Sequence, residues 1–150
     1  MSDPTAGVER VHGTLVASAA NGVLLRGPPG AGKSDLALRL ISAPWSWQLV
    51  ADDQVQLVAT ADAVFGHPPG SIAGQIEVRG IGIISVPFAA SAAIRLIIDL
   101  VPSQDVLRLP DGNEYASLLG RSILRASLHS FDASTPAKIA LLLATCVQPR

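Results

Sequence analysis

The strongest chemical signal in this 150-residue sequence is the run Gly27-Pro28-Pro29-Gly30-Ala31-Gly32-Lys33-Ser34. It matches G-x-x-x-x-G-K-[ST] at every fixed position. Glycines let backbone N–H groups turn inward around an anion that a side chain would obstruct. A helix starting at Lys33 adds unpaired N–H donors and the positive end of its dipole. Lys33 has the reach to meet β- and γ-phosphate oxygens, and Ser34 offers a hydroxyl to Mg²⁺. Lys33 is one of only two lysines in the chain, which argues against a solvated lysine in a glycine-rich turn. Residues 27–34 therefore predict a nucleoside triphosphate site.

Phosphoryl chemistry also needs an acid to hold magnesium and a group to position the nucleophile. Two stretches offer one: Leu49-Val50-Ala51-Asp52-Asp53 and Leu96-Ile97-Ile98-Asp99. Adjacent residues at a strand end point to opposite sides, so one of Asp52 and Asp53 can face the phosphates while the other supports it. A carboxylate beside a second carboxylate has a raised pKa that Mg²⁺ opposes, which suits general-base work on a hydroxyl. The plainer readings are a turn pair for Asp52-Asp53 and a strand residue facing solvent or pairing with Arg95 for Asp99. Glu77 lies beside Arg79 in the glycine-punctuated run Ile76 to Ile84. It is either half of a same-face pair with Arg79 or a magnesium ligand, direct or through a group that itself touches the ion. His12, a lone strand histidine, is by itself a structural residue. His67 and His129 have no metal-ligand partners at useful spacing and read as surface residues.

These residues need elements to hold them. Val23–Arg26 reads as the strand before the phosphate loop. Lys33–Ile41 reads as the helix after it, with Leu36, Ala37, Leu40 and Ile41 at helical spacing. Val11–Ser18 reads as a strand, joined to the next by a hairpin at Asn21-Gly22. Further strands are predicted at 47–51, 55–59, 75–79, 83–86, 93–101 and 123–128, with loops at 66–74 and 102–113. Pro136–Val147 reads as a closing helix with Ser134 or Thr135 as N-cap. Residues 1–9 read as a flexible end. Trp45 and Trp47 are assigned to packing, and Cys146 to an apolar helix face.

Composition bounds the rest. Apolar residues make up 49 % and charged residues 15 %, which excludes intrinsic disorder. A net charge of −1 offers no broad basic surface to nucleic acid or anionic lipid. The single cysteine excludes a disulfide framework and a multi-cysteine zinc site. The greasy stretch 81–101 is interrupted by Pro87, Ser91, Arg95 and Asp99 and reads as buried strands, not a membrane span. Neither a signal peptide nor an internal linker is visible. A single domain over 1–150 in a reducing, cytoplasmic setting is the expectation.

Four blocks, in order, resemble the catalytic domain of the HPr kinase/phosphorylase family. They are His12-Gly13-Thr14-Leu15-Val16, the loop Gly27–Ser34, Val50-Ala51-Asp52-Asp53-Gln54-Val55, and Ile76-Glu77-Val78-Arg79-Gly80-Ile81-Gly82-Ile83-Ile84. The last is the most specific, since ordinary phosphate-loop proteins have no E-x-R-G-x-G-I-I run. A weaker match continues through Asp105-Val106-Leu107-Arg108-Leu109.

The resemblance implies an α/β fold: a strand-rich phosphate-loop core like that of phosphoenolpyruvate carboxykinase, with few helices. It implies MgATP-dependent phosphorylation of a serine on HPr, a small phosphocarrier of the sugar phosphotransferase system, together with the reverse dephosphorylation by inorganic phosphate. Carried across by motif, Lys33 neutralises phosphate charge, and Ser34, Glu77 and Asp52 serve magnesium. Asp53 is the base in the forward direction, His12 lies near the transferred phosphoryl, and Arg108 stabilises transition-state charge. ATP and Mg²⁺ are the implied cofactors. An HPr-like phosphocarrier is the implied partner, within a homo-oligomer.

The sequence also departs from the family pattern. Ser85 stands where an asparagine or aspartate usually closes the E-R-G block. Pro136-Ala137-Lys138-Ile139 stands for a proline-glycine-arginine-asparagine motif linked to dephosphorylation. The family's N-terminal domain and partner-gripping C-terminal helices are expected to be absent. The short form resembles those found beside sensor-kinase genes in some bacteria. A non-catalytic ATP sensor and a small-molecule kinase of similar core are the rival expectations.

Overall fold

The computed structural model describes residues 8–70 and 72–147. The expected flexible end, 1–9, falls outside those residues except for Val8 and Glu9. These two belong instead to strand β1 (Val8–His12), where they pair with Val58 and Leu57. The predicted strand 11–18 is interrupted at Gly13, and its second part is β2 (Thr14–Ser18).

Strand β3 (Asn21–Arg26) pairs antiparallel with β2 and delivers the chain into the phosphate loop. The hairpin between them is real, but its turn is Ala19-Ala20, with Ala19 at φ 55, because Ser18 pairs with Asn21. Gly22 is a strand residue. A Cβ there would come within 3.1 Å of the Ala93 carbonyl and 3.2 Å of the Leu15 side chain, so close packing explains this glycine.

Helix α1 (Lys33–Ile41) follows the loop with the predicted bounds. Strands β4 (Gln48–Ala51) and β5 (Gln54–Ala59) come next. Strand β6 (Val64–His67) lies partly where a loop was predicted. Its Gly66 sits against Leu15, and an added Cβ would overlap the Leu15 Cδ2 methyl and stand 3.0 Å from Val55 Cγ1. Gly66→Ala is therefore expected to destabilise the fold by about 1–3 kcal/mol through overpacking, read as a lower urea midpoint at unchanged slope.

Strand β9 (Ala92–Leu100) is the spine. It pairs parallel with β3 along one edge, and with β6 and then β11 (Arg121–Leu128) along the other. The path of the sheet is β1-β5-β6-β9-β3-β2-β4, with β10 (Glu114–Leu118) outside β11. A register shift opposite Gly22/Val23 leaves Arg95 as an extra, exposed residue in β9. The bulge sends Ile94 and Ile97 to one face and Leu96 and Ile98 to the other. Both faces are apolar because both are covered. On one, Leu36, Ala37 and Leu40 of α1 and Ile139 and Leu143 of α2 (Thr135–Val147) pack with Val23, Leu25, Leu96 and Trp47. On the other, Leu24 and Ile97 meet Val55, Leu57, Val64 and Ile123 with no helix between.

The tryptophans and Cys146 pack on the helix side as expected. Strands β7 (Gln75–Val78) and β8 (Gly82–Ser85) form a separate hairpin whose Ile76 is buried in that same core. No helix among the described residues is long and apolar enough to cross a membrane.

Candidate functional site

Strand β3 stops at Arg26, and the loop that follows is shaped by one turn and two left-handed glycines. Ala31 N–H donates to the Pro28 carbonyl at 3.0 Å, and Gly30 and Gly32 take φ 85 and 92. Only glycine adopts such angles at no steric cost. Gly32 is the N-cap of α1 and brings no side-chain cap, so the first-turn amides are left to an outside acceptor. Lys33 Nζ lies back across the loop, donating to the carbonyls of Gly27 at 2.7 Å and Pro28 at 3.2 Å. Its charge is thereby held over the loop that residues 27–34 enclose.

Ser34 identifies the acid. Its Oγ donates to Asp52 Oδ1 at 2.7 Å, and Thr14 Oγ1 donates to the same oxygen at 3.0 Å. Asp52 Oδ2 accepts the backbone N–H of Glu77 at 3.4 Å. One carboxylate thus ties together the phosphate-loop serine, strand β2 and hairpin β7–β8. The donor set of hydroxyl and carboxylate oxygens suits Mg²⁺, which takes one or two carboxylates and completes its shell with water and phosphate. Among the described residues no three His, Cys, Asp or Glu side chains cluster as a ready-made metal cage.

Asp53 sits differently. Its φ is 70, and Gln54 N–H donates to the Asp52 carbonyl at 2.8 Å. A bond from i+2 to i around a positive φ is the strained form of γ-turn. Strain of this kind is kept where surrounding contacts fix it, and here the Asp53 carbonyl accepts Gly13 N–H at 3.0 Å. The turn leaves the Asp53 side chain exposed, with no hydrogen-bond partner among the described residues. His12, also exposed, pairs across β1–β5 with Gln54, the residue after Asp53. Glu77 is exposed on β7 and makes no ion pair with Arg79. The structure therefore gathers Lys33, Ser34, Asp52, Asp53, His12 and Glu77 on connected elements. Arg108 is not gathered: it lies exposed in the irregular connector after a 3₁₀ turn at Ser103–Asp105, without a hydrogen bond or ion pair among the described residues.

Asp99 is removed from the list of magnesium candidates, and its partner is not Arg95. It stands opposite Arg26 in the β3–β9 ladder, and its oxygens accept Arg26 at 2.7 and 3.0 Å and Arg125 at 2.5 Å. Arg125 also pairs with Glu114 at 3.0 Å. Burial pushes the Asp99 carboxyl up, but hydrogen bonds and charge from Arg26 and Arg125 outweigh it and hold the group below its ordinary value. A depressed carboxyl contributes stability above its unfolded pKa of about 3.9, and loses it as pH falls through the lower folded value. Asp99→Asn is expected to cost about 2 kcal/mol at neutral pH, since two half-buried guanidinium groups lose their shared anion. That gap, measured by urea unfolding, should narrow as pH drops below about 4.

Nothing in the sequence marks the segment after β11 as part of the site. Ser130 Oγ donates to the Ala31 carbonyl, and Arg39 of α1 donates to the Ser130 carbonyl. His129, expected at the surface, is half-buried, with Nδ1 3.0 Å from the Val101 carbonyl. Serine and histidine types at 129–130 carry no local signal of this role; only the return of β11 beside β9 brings them under the loop.

Fold and site together set a G-x-x-x-x-G-K-S loop on a mixed sheet, with the serine of the loop bound to an aspartate from a neighbouring strand end. The chain belongs to the HPr serine kinase C-terminal domain family, whose pattern matches residues 4–139. It is 37 % identical over 150 residues to the HPr kinase/phosphorylase of Aromatoleum aromaticum, covering 92 % of this chain and 46 % of that protein. It is 33 % identical over 138 residues to the HPr kinase/phosphorylase of Clostridium beijerinckii, covering 85 % of this chain and 45 % of that protein. The chain thus spans about half the length of these relatives. Among solved structures, the Hpr(Ser) kinase/phosphatase from Coxiella burnetii superposes with a TM-score of 0.77 at 28 % identity, over 91 % of this chain and 89 % of that one. The strand-rich mixed sheet with two helices is accordingly the catalytic-domain fold of this family, as the sequence led one to expect.

Proposed function

We propose that this chain transfers the γ-phosphoryl group of ATP, with Mg²⁺, to a serine of an HPr-like phosphocarrier protein in the cytoplasm. The observation that carries the reading is the contact of Ser34 Oγ with Asp52 at 2.7 Å, which joins a phosphate loop to an acid at the place where a triphosphate meets its metal. The names of the relatives supply the class of acceptor.

In this reading the amides of residues 28–34 and Lys33 Nζ bind the β- and γ-phosphates. Ser34 and Asp52, with Glu77 alongside, would hold Mg²⁺, which would lower the charge repulsion between phosphates and nucleophile. Asp53 takes the proton of the acceptor serine as its oxygen forms the new bond to phosphorus. The bond to the bridging β-phosphate oxygen breaks, and ADP leaves with the electron pair. The exposure of Asp53 fits this role, because a protein-borne serine must reach it from solvent. His12 borders the same turn and contacts the transferring group. Arg108, exposed on the connector after β9, would stabilise the charge that develops on the transferring group.

Single-turnover transfer of label from γ-labelled ATP tests the reading. Label on a serine of the phosphocarrier is expected. Intact ATP binding with no transfer would overturn it in favour of a nucleotide sensor.

A further inference from the structure

We propose that Phe131 is the platform on which the base of a bound purine nucleoside triphosphate stacks; this rests on the nucleotide-binding reading above. A lone exposed phenylalanine is common and by itself means little. Phe131 is distinguished by where it stands and how firmly it is held.

Its ring is 59 % exposed, yet it borders the last glycine of the phosphate loop. A Cβ placed on Gly32 would lie 2.8 Å from Phe131 Cζ and 3.1 Å from Cε1. The ring therefore flanks the backbone of the residue before Lys33. The loop that carries it leaves β11, which runs parallel to β9, as β3 does ahead of the phosphate loop. Both loops thus open at the carboxyl ends of parallel strands, the side where α/β sheets receive ligands.

The ring is also fixed in advance. His129 packs against it edge-on, with centroids 5.8 Å apart at 72°, and His129 is itself anchored to the Val101 carbonyl. Ser130 is tied to Ala31 and to Arg39, and Thr135 Oγ1 donates to the His129 carbonyl at 2.5 Å. An apolar ring held this way stacks on a flat heteroaromatic without first paying an ordering cost. Stacking recognises a π-face and not a hydrogen-bonding edge, so the ligand class is the larger, purine bases with little choice among them. Of the other aromatics, Trp47 and Trp45 pack in or against the core, Phe88 stands against Gly74, and Tyr115 lies on the outer strand β10.

Equilibrium titrations of MgATP and of magnesium tripolyphosphate, which has no base, test this in the wild type and in Phe131→Ala, Phe131→Leu and Phe131→Trp. Wild type is expected to prefer ATP over tripolyphosphate by about tenfold. Phe131→Ala and Phe131→Leu should lose about that factor for ATP and leave tripolyphosphate affinity within about twofold, and Phe131→Trp should retain ATP affinity. Unchanged ATP binding in the alanine and leucine variants would overturn the proposal. Equal loss of both ligands would overturn it too, since Phe131 would then only shape the loop. Wild type binding neither ligand would instead refute the phosphate-loop reading, and the platform with it.

Discussion

Asp53→Asn is expected to lower phosphoryl transfer to serine by about a thousandfold while leaving ATP affinity within about twofold. A positioned general base contributes roughly 10²–10⁴ to such a step. Asparagine tolerates the left-handed region about as well as aspartate does, so φ 70 at this position and the γ-turn it centres should survive. The substitution removes the proton acceptor and little else, because the Asp53 carboxylate has no structural partner among the described residues. Contrast Asp52, whose two oxygens accept Ser34, Thr14 and Glu77 N–H; its loss would disturb the site as a whole. Rapid-quench measurement of transfer beside an ATP titration separates the two effects. Unchanged transfer in Asp53→Asn would show that another group takes the proton.

Lys33→Ala should weaken ATP binding by about a hundredfold. A charged hydrogen bond contributes about 1.5–3 kcal/mol, and the ammonium is placed to make such bonds to two phosphates. In the structure it donates to Gly27 and Pro28 carbonyls of its own loop, so it exchanges neutral acceptors for anionic ones, which attract the ammonium more strongly. Tripolyphosphate should lose affinity in step with ATP, because Lys33 meets only the phosphates. Calorimetric titration provides the comparison, and wild-type affinity in Lys33→Ala would remove the phosphate loop from the site.

The parts legible from sequence were those with a local cause. The phosphate loop declares itself through glycines and one lysine, and α1 through its apolar spacing, so both were placed at their observed bounds. Strand β10 was not, because Glu-Tyr-Ala-Ser-Leu has little β pattern and its turn uses Leu119 at φ 48 before Gly120, where asparagine or aspartate is the usual signal. Strand β6 was hidden by Gly66, which reads as a loop residue but is small because Leu15 fills the space. The paired carboxylates Asp52-Asp53 outweigh Asp99 in the sequence, but the reason Asp99 stands apart is not local. Both end apolar strands, and the decision is topological. Strand β9 lies directly beside β3, so Asp99 meets Arg26 in register; β4 lies one strand further off, and its end brings Asp52 to Ser34. The same holds for Ser130 and Phe131, which reach the loop from roughly a hundred residues away.

The Ser34–Asp52 contact is the centre of the account, and the magnesium dependence of nucleotide binding tests it most directly. ATP titrated into the wild type with saturating Mg²⁺ should bind about tenfold more tightly or better than in EDTA, and in Ser34→Ala that difference should largely vanish. Equal affinity with and without Mg²⁺ in the wild type would contradict the assignment of Ser34 and Asp52 as the pair that holds the ion.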